Sequence, residues 1–129
     1  MSKLTGVQMK YLHTIYRTQK DDQGVRSVDI AGALRVSKAS VHRMVKLLSE
    51  LEFVSMENRG NVKLTLLGKD EGTKIEEKYK KVYPFFIDYL ELEQSEALEC
   101  TYSFLCNFSD TCIRRLTERE QKRGIIGFN

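Results

Sequence analysis

The stretch SVDIAGALRVSKASVHRMVKLLSEL, residues 27–51, decides the fold that the sequence predicts. It reads as one helix over Val28–Leu34 and a second helix over about residues 38–51, joined by a short turn. Each helix follows a serine, Ser27 or Ser37, whose hydroxyl can accept a hydrogen bond from an otherwise unpaired backbone N–H. The spacing and the two N-caps therefore predict a helix-turn-helix.

The second of these helices has two different sides. Val41, Met44, Val45 and Leu48 recur at the spacing of one helical face and form an apolar stripe. The opposite side is small, polar and cationic, which fits a recognition helix that enters the major groove of double-stranded DNA. The residues predicted to contact DNA from this helix are Ser37, Lys38, Ala39, Ser40, His42, Arg43 and Lys46.

Different roles are expected on this face. Arg43 and His42 should reach base edges, because their side chains carry donors that can form directional hydrogen bonds in the major groove. Ser37, Ser40 and Lys46 should contact phosphates, which fix the register of a protein on the duplex without reading its sequence.

Two short strands after the second helix predict a β-hairpin. They cover Phe53–Glu57 and Val62–Leu66, and the intervening NRGN, residues 58–61, supplies Asn and Gly for a tight turn. A hairpin in this position is the wing of a winged helix. Arg59 at its tip is predicted to contact a phosphate or to enter the minor groove.

The rest of the chain predicts helices. A first helix should cover Leu4–Arg17, and Thr65 is a good N-cap for a long charged helix. Pro84, the single proline, should end that helix and sit in the first turn of the next one. Helices are thus expected after the wing over about residues 66–82, 93–107 and 110–122. Val25 and Arg26 should add a short strand beside the wing.

The predicted fold class is mostly α with a small β-wing. A winged helix-turn-helix DNA-binding domain should span residues 1–69, and an all-helical dimerisation domain should span residues 70–129. The helix over 93–107 is apolar on more than one side, which implies a partner subunit. The apolar tail over 124–129 should either dock in the dimer or be disordered.

Charge is divided unevenly between the two predicted domains. Residues 1–69 hold 12 Lys and Arg against 6 Asp and Glu, whereas residues 70–129 hold 9 against 12. Basic charge concentrated around the helix-turn-helix favours a polyanionic partner. The start of the chain has no signal-peptide pattern, and no apolar run is long enough to span a bilayer. The sequence therefore predicts a cytoplasmic protein with no membrane partner.

Enzyme chemistry is not indicated by any motif in the chain. It contains no nucleophile paired with a base, no glycine-rich phosphate loop and no HExxH, so we expect no catalytic residues. Cys100, Cys106 and Cys112 are spaced six apart, which fits neither a disulfide framework nor a zinc motif. Buried, reduced thiols are expected.

Several stretches together carry a family resemblance. The chain resembles the diphtheria-toxin-repressor (DtxR/MntR) family of iron- or manganese-dependent transcriptional regulators, in its short two-domain branch, closely over 7–69 and more loosely over 70–118. The resemblance implies a homodimer, expected to act as a repressor, whose recognition helices read a palindromic operator. It also implies a divalent metal, manganese or iron, as a possible cofactor. The stretches are YLHTIY (11–16), VDIAGAL (28–34), VSKASV (36–41), MVK (44–46), RG (59–60) and LT (64–65).

The resemblance places the family's metal ligands on positions where this chain departs from the pattern. Glu99 keeps the expected type, and His13 can coordinate through an imidazole nitrogen, so these two are the candidate metal ligands. Manganese or iron needs several such donors converging. The Lys10 ammonium is therefore expected to take the metal's place and pair with Glu99. The full set of positions is Lys10, His13, Tyr79, Glu99, Tyr102 and Ser103.

Three alternatives remain open. One is a regulator that senses metal through His13, Glu99 and a cysteine. Another is a winged-helix regulator that senses a small organic ligand in its apolar C-terminal half. The third is a winged helix used for protein interaction without specific DNA binding, which salt-dependent binding to duplex DNA would distinguish. The side chains that would line the organic-ligand pocket are Phe85, Phe86, Tyr102 and Phe104.

Overall fold

The structure, a computed structural model, describes residues 4–122, apart from the side chains of Arg59, Glu120 and Gln121. The tail over 124–129 lies outside the described residues. The fold class is confirmed: helices dominate, with one small antiparallel sheet. The elements in chain order are α1 Gly6–Thr18, β1 Val25–Arg26, α2 Ser27–Leu34, α3 Lys38–Glu50, β2 Val54–Met56, β3 Asn61–Leu64, α4 Leu66–Pro84, α5 Gln94–Asn107 and α6 Asp110–Lys122.

The described residues form two compact units. One consists of residues 10–74, and the other consists of residues 4–9 together with 75–122. The two units are defined by contacts between residues and not by function. The functional domains expected at 1–69 and 70–129 therefore stay a prediction. Within the part of the chain that the structure describes, no helix is long and apolar enough to cross a membrane.

The unit of residues 10–74 has an aliphatic core. Leu12 and Ile15 of α1 and Val41, Val45 and Leu48 of α3 are all 0% exposed. Full burial of one such side chain contributes roughly 1.5–3 kcal/mol from the hydrophobic effect. The core therefore holds the back of α3 and leaves its opposite side to solvent.

The sheet of this unit forms the predicted wing. Its strand order is β1-β3-β2, with both pairs antiparallel and Val54 opposite Leu64. The strands are shorter than the predicted Phe53–Glu57 and Val62–Leu66, because Asn58–Gly60 forms a turn of 3₁₀-helix that ends the ladder. The predicted strand at Val25–Arg26 is confirmed and pairs with β3.

The junction between the wing and α4 is closely packed. Thr65 is the N-cap of α4, as predicted: its Oγ1 accepts from Gly68 N at 3.0 Å and donates to Glu52 O at 2.6 Å. A Cβ at Gly68 would overlap the carbonyl oxygen of Phe53, and one at Gly72 would overlap the ring of Tyr16. Both glycines are thus required for close approach.

Several aromatic rings of the second unit contact one another. Tyr79 stacks on Tyr83 with ring centroids 4.9 Å apart and on Tyr102 at 5.9 Å. Phe86 meets Phe104 edge to face at 6.3 Å. Such contacts contribute about 0.5–1.5 kcal/mol each beyond the area that they bury. This region therefore coheres through ring contacts between α4, the turn after it and α5.

The predicted break at Pro84 takes a different form. α4 runs to Pro84, and a turn of π-helix over Phe85–Tyr89 follows, while α5 begins only at Gln94. Proline lacks an N–H and cannot continue the i→i+4 ladder, although its φ of −57° is helical. The wider pattern is seen in the bond from Leu90 N to Phe85 O at 3.0 Å.

The three cysteines are free thiols, as expected, but they are not uniformly buried. Cys100 and Cys106 on α5 are half-buried, whereas Cys112 on α6 is exposed. The expectation of burial was therefore wrong for Cys112, since the side of α6 that packs inward carries Ile113 and Thr117 instead.

Candidate nucleic-acid interface

The outward side of α3 carries the cationic residues that the sequence predicted there. Lys38, Ala39, His42, Arg43 and Lys46 are all exposed. The inward stripe is buried at three of its four positions, the fourth being half-buried Met44. Because the buried stripe fixes the helix, these side chains share one solvent-facing surface, which we call the reading face.

The turn before α3 sets the angle of this helix. Arg35 ends α2 in the left-handed conformation, with φ 55° and ψ 48°. Val36 N donates to Ala31 O at 3.1 Å, which closes the turn. Ser37 is the N-cap of α3, as predicted, and its Oγ accepts from Ser40 N at 3.0 Å. The helix-turn-helix is thus held by local hydrogen bonds.

Ser27 does not have the predicted capping role. It is the first residue of α2, Arg26 occupies the N-cap position, and no side chain caps this helix. Instead the Ser27 hydroxyl donates to Gly60 O at the wing tip, at 2.9 Å. Asn61 Nδ2 donates to Gln23 O, also at 2.9 Å. These bonds tie the wing to α2 and to the loop before β1.

An open cleft of about 630 Å³ lies between the reading face and the wing. Its walls combine cationic side chains with the apolar surfaces of Ala39 and Met56, and Met56 is 41% exposed. Cations suit phosphates, and apolar groups suit deoxyribose or the edges of bases. The residues that line the cleft are Ser27, Lys38, Ala39, His42, Arg43, Met56 and Gly60.

Sequence reasoning missed three of these lining residues. Ser27 had been assigned a local cap, and Gly60 only a turn. Met56 lies on the same side of its strand as buried Val54. The alternation of side chains along a strand could have predicted on which side Met56 lies. The backbone of Arg59 lies in the 3₁₀ turn at the wing tip, and the structure does not describe the side chain of this residue.

One carboxyl in this unit has a displaced pKa. The hydrogen bond that Lys69 donates to Asp22, at 3.2 Å, together with the charges of Lys69 and Lys63, holds the pKa of Asp22 below its ordinary value of 3.8. The ion pair is exposed on both sides. It lies on the surface of the unit and does not line the cleft.

The residues at the family's metal positions do not fit a manganese or iron site. Lys10 is half-buried and His13 is fully buried, and both belong to the unit of residues 10–74. An ammonium group has no lone pair to offer a metal. Among residues 4–122, no three His, Cys, Asp or Glu side chains form a group that could hold a metal ion. In the other unit Glu99 and Ser103 are exposed, whereas Tyr79 and Tyr102 are buried.

The four aromatic residues proposed for an organic ligand contact other rings. Phe85 lies 5.3 Å from Phe86, and Phe86 lies 6.3 Å from Phe104. Tyr102 stacks on Tyr79. Their ring contacts account for these side chains as packing within the second unit.

The fold and the reading face define the class: a winged-helix DNA-binding protein. Residues 3–62 match the description "Iron dependent repressor, N-terminal DNA binding domain". Residues 3–62 are thus similar to a DNA-binding domain of the iron-dependent-repressor type. The residues that carried the resemblance in the sequence lie largely within the matched range.

Two further proteins are similar to this chain. The chain is 29% identical over 107 residues to an uncharacterized HTH-type transcriptional regulator of Methanocaldococcus jannaschii, covering 82% of this chain and 86% of that protein. A hypothetical protein from Sulfolobus solfataricus has the same fold, with 23% identity, a TM-score of 0.62 and coverage of 92% and 91% of the two chains.

The fold is also that of a manganese regulator, SloR, with 22% identity and a TM-score of 0.70. The match covers 94% of this chain but 55% of SloR, so this chain spans about half the length of that regulator. At this identity the likeness establishes the fold alone.

Proposed function

We propose that two copies of this chain form a homodimeric repressor that binds a palindromic operator, with one α3 in the major groove of each half-site. The observation that carries the proposal is the solvent-facing set of cations on a helix whose opposite side buries Val41, Val45 and Leu48. Two recognition helices that bind successive turns of B-DNA must lie about 34 Å apart. A symmetric pair of subunits meets that requirement most simply.

Within each half-site, Arg43 and His42 are assigned to base edges. Arginine donates two parallel hydrogen bonds to guanine O6 and N7, which makes it a strong sequence reader. Phosphate contacts are assigned to Ser37, Lys38, Ser40 and Lys46, with Ala39 against the groove surface and Arg59 reaching from the wing. Support comes from the cleft between the reading face and the wing, whose cationic walls suit the sugar–phosphate backbone.

The decisive experiment replaces Arg43 with alanine. The operator is first selected from random duplexes with the unchanged chain, and affinities are then measured by fluorescence anisotropy for all single-base variants. We expect Arg43→Ala to relax preference at one base pair per half-site at a cost of about 1–3 kcal/mol. Asp29→Ala, on the exposed side of α2, is a control that should leave the selectivity unchanged.

Three results would contradict the proposal. Unchanged selectivity after Arg43→Ala would show that α3 is not the reading helix. A monomer at the concentrations that give operator binding, measured by analytical ultracentrifugation with and without duplex, would exclude the symmetric pair. Binding whose affinity does not fall with rising salt would favour a protein-interaction module, because phosphate contacts release counterions.

We further propose that operator binding by this chain does not require manganese or iron. The residue types at the family's ligand positions support this, since a lysine and two tyrosines stand where carboxylates and histidines are expected. The predicted pairing of Lys10 with Glu99 would take the metal's part. Equal operator affinity with added Mn²⁺ and with a chelator is expected. Affinity that depends on manganese and disappears with chelator would instead support metal sensing through His13 and Glu99.

A further inference from the structure

Three side chains at the start of α3 form a continuous hydrogen-bonded chain. The Ser37 hydroxyl donates to Ser40 Oγ at 3.0 Å while accepting from the Ser40 backbone N–H at 3.0 Å. Arg43 Nη2 donates to the same Ser40 Oγ at 3.3 Å. Ser40 therefore connects the N-cap of the helix to the guanidinium on its reading face.

Ser40 Oγ accepts two hydrogen bonds in this arrangement. A serine hydroxyl has two lone pairs and one proton, so its proton is the group that it can donate to an outside acceptor. Hydrogen bonds in series polarise one another, and the charge on Arg43 strengthens the effect. A phosphate oxygen is a suitable acceptor beside this cationic face.

An arginine on a helix surface samples many rotamers. Holding it in one geometry during binding costs conformational entropy, and a bidentate contact with guanine requires the planar group to be correctly oriented. A hydrogen bond already present in the free protein lowers that cost. Arg43 is exposed, so a bond to a half-buried neighbour on its own helix limits its freedom more than solvent does.

We propose that Ser40 is a positioning residue for Arg43: it holds the guanidinium in the orientation that reads a guanine in the operator half-site. This role rests on the proposed function, and it assigns Ser40 more than the phosphate contact predicted from sequence. Specificity at one base pair is thus determined jointly by the residue that touches it and by a hydroxyl one helical turn earlier.

The test is a double-mutant cycle on the full chain with Ser40→Ala, Arg43→Ala and the combination. For each, the affinity for the selected operator is divided by the affinity for the variant at the base pair that Arg43 reads. Ser40→Ala should lower this ratio by about three- to tenfold, the effect of losing one modest hydrogen bond. Ratios at other base pairs should not change, and Ser40→Ala should have no further effect once Arg43 is alanine.

Ser40→Thr is the matched variant, because it keeps the hydroxyl and should retain the wild-type ratio. Circular dichroism of Ser40→Ala checks that the helix is retained. A loss of affinity that is equal for the operator and all its single-base variants, and that persists in the Arg43→Ala background, would overturn the inference, since Ser40 would then contact only phosphate. An unchanged ratio in Ser40→Ala would also overturn it. If Arg43→Ala itself left selectivity intact, the proposed function would fail as well.

Discussion

In the unit of residues 10–74, hydrogen bonds between distant residues join the wing to the elements beside it, whereas in the unit that includes residues 75–122 aromatic rings stack on one another. Ser27 bonds to Gly60 and Gln19 to Leu64 in the first unit, across 33 and 45 residues respectively. In the second unit Tyr79 stacks on Tyr102, and aliphatic side chains such as Ile113 are buried as well. Directional bonds fix side-chain positions more narrowly than ring packing does, which suits a surface that must match DNA.

The contrast implies different sensitivities to substitution. Where backbone and side chains approach closely, a single added carbon should be costly. Where rings and aliphatic groups pack, removal of volume should be costly instead. Four substitutions test this difference, beginning with the largest expected effect.

Gly68→Ala should destabilise the unit of residues 10–74 by about 3 kcal/mol or more, because the added methyl group would overlap the carbonyl oxygen of Phe53. Urea denaturation followed by circular dichroism measures the free energy of unfolding. Gly32→Ala is the matched control on α2, where nothing lies within 4 Å of the added Cβ. It should stabilise the chain by about 0.5–1 kcal/mol through helix propensity. Equal effects at both positions would contradict the close approach.

Ile113→Ala should lower the free energy of unfolding of the unit that includes residues 75–122 by about 2–3 kcal/mol, since it removes buried volume at a side chain that is 2% exposed. Its neighbour on α6 supplies the control. Cys112 is exposed, and Cys112→Ala should change stability by less than about 0.5 kcal/mol. A similar loss at both positions would mean that α6 does not pack by this side.

Ser37→Ala should cost about 1 kcal/mol of stability, because it removes the hydroxyl that caps α3. Thermal unfolding without DNA isolates this effect from any contact with the operator. Ser37→Asp keeps a capping acceptor and should retain most of the stability. No difference between the alanine and aspartate variants would show that the cap contributes little.

Asp22→Asn should have the smallest effect. The pKa of Asp22 is lowered by Lys69, so the pair stabilises the fold above pH about 3.8 and loses its effect as the pH falls through the lowered pKa. The stability difference between wild type and variant should therefore be measurable near pH 6, diminish in high salt and decrease as the pH falls through the lowered pKa. A difference that grows on acidification would contradict this assignment.

The predictable parts of the fold depend on local chemistry. The caps at Ser37 and Thr65, the two sides of α3 and the start of α6 all follow from residues within a few positions of one another. Period and capping residues carry that information directly. The helix-turn-helix and the wing were therefore recognised from a single stretch of sequence.

The parts that were missed depend on contacts across the chain. Ser27 was predicted to cap its own helix, yet its hydroxyl bonds to a carbonyl in the wing, and no local pattern signals that partner. The π-turn after Pro84 was also missed, because residue spacing does not distinguish an i→i+5 turn from the i→i+4 pattern. The assigned DNA contacts and the pairing of Lys10 with Glu99 remain predictions, because they concern a partner molecule or the relation between the two units.

The fastening of the wing tip by Ser27 has a consequence for the speed of recognition. A hairpin that is anchored to α2 before any duplex arrives keeps the mouth of the cleft at a preset width. The hairpin then needs little further ordering when DNA binds, so rearrangement should not limit the association rate. Differences in affinity between operators should consequently appear mainly as differences in how long each complex lasts.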